Sequence, residues 1–379
     1  MVVGVLTTSY PRHAGDYAGS FVEDRVRALL GEGHQVQVFA AGDSACITHH
    51  TDGRLRVTRI GGGPPDDARL FYTQGGPERL ESGGPPAWWQ ALRFWADLAA
   101  AAGARAAHVD AWETHWLVPC AAIALQLAPQ KPLRAFAHSG DVALLERLPA
   151  GDAVARFLAA RGARADADFV FVTADLQARF ASLAGRPVGR VARLTAPAEL
   201  FPRITPASRQ AARAALGLRG PTVIAVGRLV PIKGFDRLIA ACAEAATVDD
   251  RLRDRLTAII IGDGPERAAL QAAARAANVR VTLPGWIPRT QLAGWLHAAD
   301  LYAQPSTTLP TGRREGLPVA ALEALAVGLP VIATDQPGLR ALRGEYPGLR
   351  LLDCQDSRRF GAALANDLSR ICVGDVTAV

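Results

Sequence analysis

The chain has 379 residues, 49% of them hydrophobic, and a formal net charge of +6. That length exceeds one ordinary core and predicts two domains. No apolar run reaches the roughly 18 residues needed to cross a bilayer, and no basic cluster is interleaved with aromatics as in single-stranded nucleic-acid grooves. The start, MVVGVLTTSYP, lacks the charged head and cleavage site of a signal peptide and reads as a first buried strand.

Five scattered cysteines (46, 120, 242, 354 and 372) without paired spacing suit a reducing cytoplasm. Cys46 with His49 and His50 is the one grouping that resembles a ligand set, and no metal is expected. Residues 1–198 carry 20 basic and 19 acidic side chains, whereas 199–379 carry 22 and 17. The positive surplus therefore lies in the second half. Only Lys131 and Lys233 among the 42 basic residues are lysines, so a lysine here stands out for its compact, flexible ammonium group.

In chain order, VVGVLT predicts a strand, TSYPRHAGDYAG a glycine-containing loop, and residues 20–30 an amphipathic helix. Ser20 as N-cap with Glu23 at N3 predicts a capping box. Residues 42–100 form a loop-rich excursion with many glycines and prolines. Trp88, Trp89 and Trp95 follow at a spacing that suits a helix face packed into the core, the other reading being an apolar acceptor surface. A strand is expected near 108–110, then WETHWLVP as a loop, then a strand at 134–137 that ends in HSGD. Residues 195–220 join the halves.

The second half alternates regularly. TVIAV is a strand, GRLVPIKG a loop, and 235–246 a helix in which Phe235, Leu238, Ile239 and Cys242 repeat at helical spacing. Strands follow at 258–261, 279–283 and 301–304, with helices at about 266–277 and 290–298. The loop PSTTLPTGRR leads into EGLPVAALEALAVGLPVIAT, a helix and then a strand at 331–333. Such alternation means an α/β fold of parallel sheets covered by helices on both faces. Ligands of these sheets sit outside the carboxyl ends of the strands. The loops at 227–234, 285–288 and 305–318 all lie at such ends.

Pro318 suits the first helical position, where its missing N–H costs nothing, and a helix start favours an anion. Glu323 lies about 7–8 Å further along the axis at about 1.5 Å per residue. A carboxylate accepts from paired hydroxyls, so phosphate-binding N–H groups flanked by Glu315 and Glu323 describe a nucleotide-sugar site. The alternative is a buried α/β helix with two solvated glutamates. Arg228 and Lys233, in one loop with flanking glycines, suit a diphosphate. The loop lacks the Gly-Lys-Ser/Thr ending of a P-loop, and no Gly-x-Gly-x-x-Gly follows a strand. Nor is there an Asp-x-Asp pair suited to a divalent ion beside a diphosphate.

GRLVPIKGFDRLIAA, IIIGDGPERAAL, LPGWIPRTQLAGWLHAADLYAQPS and EGLPVAALEALAVGLPVIAT, in this order and spacing, resemble the C-terminal domain of family 4 retaining glycosyltransferases. TTSYPRHAGDYAGSFVEDRVRALLGEGHQV resembles the opening of their bacterial polysaccharide-type members, and HSGD at 138–141 a loop that faces the donor sugar. The resemblance covers about 1–40 and 108–355. It implies the GT-B architecture of two facing Rossmann-like domains, here 1–198 on the acceptor side and 199–379 on the nucleotide-sugar side.

The resemblance further implies that Arg228 and Lys233 neutralise the departing diphosphate and that Glu315 holds sugar hydroxyls. Gly316 and Leu317 would offer backbone to phosphate and sugar, Glu323 would hold the ribose diol, and Ile287 would meet the base through its backbone. Gly19 would let the first helix approach the phosphates, and His138 would lie near the transferred sugar. Retention through a covalent intermediate would need a carboxylate such as Asp141 or Glu315; the resemblance implies front-face attack instead.

The acceptor is expected on walls at 10–19, 61–86 and 114–119, with Tyr17, His115, Trp116 and Asp141 as acceptor-side residues. Tyr10, Phe71, Tyr72, Trp88, Trp89 and Trp112 are further aromatics in or beside those walls. The expected activity is metal-independent transfer of a hexosyl residue from a nucleoside-diphosphate sugar, which is substrate rather than bound cofactor. The acceptor would be a hydroxyl of a glycan, a lipid-linked sugar or a small natural product. No nucleic-acid partner is expected, and the expected location is cytoplasmic, with contact to the inner membrane face and oligomeric state left open. A nucleotide-sugar epimerase and a catalytically weak partner subunit are the competing readings. The chain departs from the family in a shortened or absent last helix and in the turn LTAPAELF.

Overall fold

The computed structural model describes residues 1–13, 16–42, 53–61, 80, 83–192, 195–310, 312 and 314–372. Cys46, His49, His50, Phe71, Tyr72 and most of the glycine-rich excursion lie outside the described residues. The chain forms two compact units, Met1–Arg193 and Leu194–Val379; the sequence reading put the boundary at 198.

Among the described residues the first unit has seven strands: β1 (Val2–Leu6), β2 (Gln35–Ala41), β3 (Leu55–Ile60), β4 (Ala111–His115), β5 (Leu133–Ala137), β6 (Asp168–Phe171) and β7 (Arg190–Val191). Their order is β3-β2-β1-β4-β5-β6-β7, and every pairing is parallel. The helices are α1 (Ser20–Gly31), α2 (Gly84–Gly103), α3 (Ala122–Leu127), α4 (Ser139–Arg147), α5 (Gly151–Arg164) and α6 (Ala174–Ala184). Val22, Val26 and Leu29 of α1 close over Val3, Val5, Val36 and Val38 of the sheet. That is the apolar stripe a surface helix turns to its core.

The second unit begins with α7 (Pro206–Ala215) and β8 (Thr222–Val226), followed by α8 (Phe235–Val248), β9 (Thr257–Ile261), α9 (Arg267–Ala276) and β10 (Arg280–Gly285). It continues with α10 (Arg289–Ala298), β11 (Leu301–Gln304), α11 (Val319–Val327), β12 (Val331–Thr334), α12 (Pro337–Arg340), β13 (Leu349–Leu352) and α13 (Ser357–Cys372). The strand order is β10-β9-β8-β11-β12-β13, again all parallel. Both faces are buried. Val223, Ala225 and Ile260 point into one core with Phe235, Cys242 and Phe360, while Ile224, Ile259 and Tyr302 point into the other with Leu322 and Leu325. Alternate residues thus serve opposite cores, which is why these strands read as unbroken apolar runs.

In both sheets the order turns back beside the first strand, between β1 and β4 and between β8 and β11. These are the switch points where parallel α/β sheets hold ligands. α13 lays Phe360, Leu364 and Leu368 into the core of its own unit. Among the described residues no helix is long and apolar enough to cross a membrane.

Four expectations are corrected. The strand near 108–110 is a short 3-10 turn, Ala106–His108, and the strand itself is Ala111–His115. It was hidden because a central strand here carries buried Glu113, Thr114 and His115. The capping box at Ser20 does not form: Gly19 is the N-cap, at φ 74°, and its carbonyl accepts from Val22 and Glu23. Glu23 pairs instead with Arg27 at 3.1 Å. Residues 195–220 are more than a connector, since α7 lies within them, capped by Thr205 with Pro206 behind it. It buries no apolar side chain and is tied down by Arg209 and Arg213 on Asp300.

The fourth concerns the aromatics assigned to acceptor walls. Tyr10 and Trp112 are core residues, 3% and 2% exposed. The Trp112 ring lies over Gly4, where an added Cβ would stand 2.5 Å from it. Trp88 and Trp95 pack on Leu80, Ala87 and Ala91 as the helix-face reading expects, while Trp89 is 70% exposed.

Candidate active site

The loops after β8 and β11 border one switch point of the second unit. In the first of them Gly234 stands at φ 63°, and an added Cβ there would lie 2.2 Å from the Pro305 carbonyl oxygen. Absence of a side chain brings the two loops together at that point. Thr307 N–H donates to the Ile232 carbonyl at 2.9 Å and fastens them. Lys233 folds back over Gly227, so that an added Cβ there would stand 2.9 Å from Lys233 Cε.

The Lys233 ammonium donates to Glu315 Oε1. The other oxygen, Oε2, accepts from the Ser306 hydroxyl and from Gln304 Nε2, the latter at 3.0 Å. Gln304 is held in turn by the Tyr302 hydroxyl, which donates to its Oε1 at 2.8 Å. Burial first, then the carboxylates of Glu315 and Glu323, hold the Tyr302 phenol well above its ordinary pKa. It stays a neutral donor. Lys233 and Glu315, 82 positions apart in sequence, are therefore one preassembled polar cluster.

Pro318 is the N-cap of α11 rather than its first helical residue. Its carbonyl accepts from Ala321 at 3.1 Å, so the intrahelical bonds begin there. Gly316 is wedged in place by α12: an added Cβ on Gly338 would meet the Gly316 carbonyl oxygen at 2.0 Å. Leu317 packs partly into the core. Glu323 is 4% exposed and pairs with Arg289, whose Nη2 lies 2.7 Å and Nε 2.8 Å from Oε1. Arg289 in turn lies 5.3 Å over the Phe201 ring. Ile287 is 8% exposed and sends its side chain into the core. Arg228 is half-buried in the loop of Lys233.

In the first unit a second cluster forms at the carboxyl ends of β4 and β5. His115 Nδ1 and His138 Nε2 are 3.3 Å apart. The His138 ring lies 4.7 Å from both Trp116 and Phe21. Burial, then the neighbouring His115, holds the His138 pKa well below its ordinary value. Asp141 is 2% exposed and accepts from Leu117 N–H at 2.7 Å, Val142 N–H at 2.9 Å and His138 N–H at 3.3 Å. Burial pushes its carboxyl up to about 7, against the pull of those N–H groups. Asp141 thus props the loop and the start of α4 from within.

Trp116 stands at φ 85°, a left-handed conformation that is strained for a large side chain. Gly19 packs against the Ser9 carbonyl, 2.3 Å from where its Cβ would be. The α1 ring that reaches His138 is Phe21, while Tyr17 sits in the loop before the helix.

The folding therefore joins Lys233 with Glu315, and His138 with His115, Trp116 and Asp141. Sequence reasoning missed Gln304, Ser306 and Arg289. Gln304 and Ser306 end a strand in AQPS, the position where a parallel sheet presents ligands. Arg289 is a cation at a helix start, against the helix dipole, and that misplacement was the available signal. Glu113, Arg25 and Phe21 were missed with the strand at 111–115. Among the described residues no three His, Cys, Asp or Glu side chains stand close enough to hold a metal ion.

Two parallel sheets, each flanked by helices, are the architecture of the GT-B class. Sucrose-phosphate synthase from Thermosynechococcus elongatus superposes with a TM-score of 0.70 at 20% identity, covering 99% of this chain and 90% of that one. Anabaena HepE in complex with UDP and glucose gives 0.69 at 19% identity, with 99% and 90% covered.

Residues 208–361 match the glycosyl transferases group 1 family. D-inositol 3-phosphate glycosyltransferase of Jonesia denitrificans is 30% identical over 354 residues, 86% of this chain and 77% of that protein. The chain belongs to the glycosyl transferases group 1 family. Other relatives align over less than half of their own length: 38% for D-inositol 3-phosphate glycosyltransferase of Thermobispora bispora, at 34% identity over 42% of this chain. For amylovoran biosynthesis glycosyltransferase AmsK of Erwinia amylovora the aligned share is 29%, at 34% identity over 32% of this chain.

Proposed function

We propose that the chain is a retaining glycosyltransferase that moves a hexosyl residue from a nucleoside-diphosphate sugar to a hydroxyl of a glycan or lipid-linked sugar. The observation that carries this reading is the Lys233–Glu315 cluster, set where the loops after β8 and β11 meet the start of α11. A cation and a carboxylate held side by side there match the two ends of the bond to be broken. Lys233 and Arg228 face the diphosphate, where negative charge grows as the anomeric carbon–oxygen bond opens. Glu315 takes hydroxyls of the sugar, sharing its oxygens with Ser306 and Gln304. Gly316 and Leu317 offer backbone at the helix start. Glu323, steadied by Arg289, takes the ribose diol, and the backbone of Ile287 takes the base.

In the first unit, His138 is assigned to the transferred sugar, and His115 and Trp116 beside it to the acceptor. The HepE structures hold UDP and UDP-glucose, which makes a UDP-sugar the first donor to try. The relatives in polysaccharide biosynthesis favour a glycan or lipid-linked acceptor.

Calorimetry on two variants tests the donor assignment. Glu323→Gln is expected to weaken free UDP and UDP-glucose alike. Glu315→Gln is expected to weaken UDP-glucose and leave UDP within about twofold, because only the intact donor carries the hydroxyls that Glu315 takes. Equal losses for both ligands in both variants, or no binding of any nucleotide or nucleotide sugar by the folded wild type, overturn the reading.

The counter-charges for the diphosphate are assigned to Lys233, Arg228 and the start of α11. Activity after EDTA treatment is accordingly expected to stay within about a factor of two, since these charges are part of the chain. Activity that vanishes with EDTA and returns with Mg²⁺ or Mn²⁺ would show that a metal supplies them.

A further inference from the structure

The His138 cluster extends further than the acceptor assignment uses. Glu113 and His115 are two apart on β4 and so share a face of that strand. Glu113 Oε1 lies 3.7 Å from His115 Nε2, and both residues are buried, 3% exposed each. From α1, Arg25 Nε reaches Glu113 at 3.0 Å to Oε1 and 3.1 Å to Oε2, and its Nη1 reaches Glu32 at 3.2 Å. On the other side His115 Nδ1 meets His138 Nε2 at 3.3 Å. The result is a line of four side chains, Arg25–Glu113–His115–His138, drawn from a helix, a strand and the loop after the next strand.

Only one proton can lie between the two imidazoles when both are neutral, and the line decides whose it is. A lone pair on His115 Nε2 would face the buried Glu113 carboxylate, which repels it, whereas a proton there is attracted. With its proton on Nε2, His115 presents a lone pair at Nδ1. His138 must then be the donor across the 3.3 Å contact.

We propose that Glu113, anchored by Arg25, acts through His115 as a positioning residue that holds His138 in its Nε2–H tautomer. His138 Nδ1 is thereby left as a hydrogen-bond acceptor for a hydroxyl of a bound sugar. This role rests on the glycosyl-transfer reading, whereas the tautomer does not.

The surroundings agree. Among the described residues Asp141, on the first turn of α4, is a further charged group beside the pair, and its carboxyl is turned to the N–H groups of Leu117, His138 and Val142. Phe136 stacks on His115 at 5.0 Å, and Phe21 and Trp116 flank His138, so the rings are fixed in plane by apolar contact. The depressed His138 pKa keeps that ring neutral, as the tautomer requires.

The test is nitrogen NMR on the whole chain labelled at histidine, with the His138 and His115 signals assigned by His→Gln substitution. At pH 8 the wild type is expected to show both rings protonated at Nε2. A His138 proton on Nδ1 overturns the proposal without any variant being needed.

Glu113→Gln is expected to turn the His138 signal into a mixture of tautomers and to lower kcat about tenfold, with the donor KM within twofold. Glu113→Asp, which returns the charge, is expected to recover most of both. An unchanged His138 spectrum in a folded Glu113→Gln protein also overturns the proposal. An Nε2–H spectrum in a chain that transfers no sugar supports the tautomer and removes the glycosyl-transfer reading instead.

Discussion

Lys233→Ala is expected to lower turnover at least about tenfold, equivalent to about 1.4 kcal/mol of transition-state stabilisation. The charge this ammonium faces grows as the diphosphate departs, so its contribution is larger at the transition state than in the bound donor. The structure adds a second penalty. Lys233 neutralises Glu315, and both side chains are largely withdrawn from solvent, at 16% and 13% exposed. Without the ammonium, Glu315 is a carboxylate held only by Ser306 and Gln304, beside the place assigned to a diphosphate. Its repulsion falls on donor binding as well as on turnover.

Lys233→Arg is a weak substitute. The guanidinium is broader than the ammonium, and the lysine stem already lies 2.9 Å from a Cβ position on Gly227. Arg228→Ala, in the same loop, is expected to lose turnover in the same direction. Steady-state kinetics beside thermal melts check the effect. Unchanged turnover in folded Lys233→Ala and Arg228→Ala proteins would take the clamp out of the mechanism.

The second large effect belongs to a residue that no ligand needs to touch. Gly262, just past β9, stands at φ 135°, and an added Cβ would lie 1.9 Å from the Gly227 carbonyl oxygen and 2.9 Å from its carbon. Both neighbours are backbone and cannot swing away. Leu229 N–H is tied to the Asp263 carbonyl at 2.9 Å, which pins the loop from its other end. Backbone strain of this kind costs about 1–3 kcal/mol, before the overlap is counted.

Gly262→Ala is therefore expected to destabilise the chain by at least about 3 kcal/mol, a fall in melting temperature of roughly 6–12 °C for a unit of this size. Whatever relaxation allows folding must displace residues 227–229, so nucleotide affinity should fall with it. Gly294→Ala is the control. That glycine lies inside α10 with nothing within 4 Å of a Cβ, and alanine there should be neutral or stabilising. A Gly262→Ala melt within about 2 °C of wild type would show that the loop contact is not rigid.

The regular alternation of the second unit was plain in the sequence. Its strands are buried on both faces, so III at 259–261 and VIA at 331–333 had to be apolar, and the turns between them carry glycine and proline. Periodicity identified the helix at Phe235 and made Cys242 a core residue. Local chemistry also marked Arg228 and Lys233 beside glycines after a strand, Glu315 beside Gly316, and Glu323 by its spacing along the helix that follows.

Where burial and polarity coincide, that reading failed. Ala111–His115 is a central strand, yet its Glu113, Thr114 and His115 look like loop. α7 buries none of its residues, and arginines bound to Asp300 hold it. The capping box at Ser20 had the right residues one position late, because Gly19 had taken the cap.

By itself, then, the sequence determined the α/β class, the order of elements from β8 to β12 and the residue types at the second unit's strand ends. The tertiary structure decided which of those residues meet. Lys233 reaches Glu315, Arg289 reaches Glu323, and His115 reaches His138 only because sheet order places β8 beside β11 and β4 beside β5. Propensity and periodicity act over a few residues, whereas these contacts span 23 to 82 positions. They depend on strand pairing and on glycines thin enough to let two loops touch.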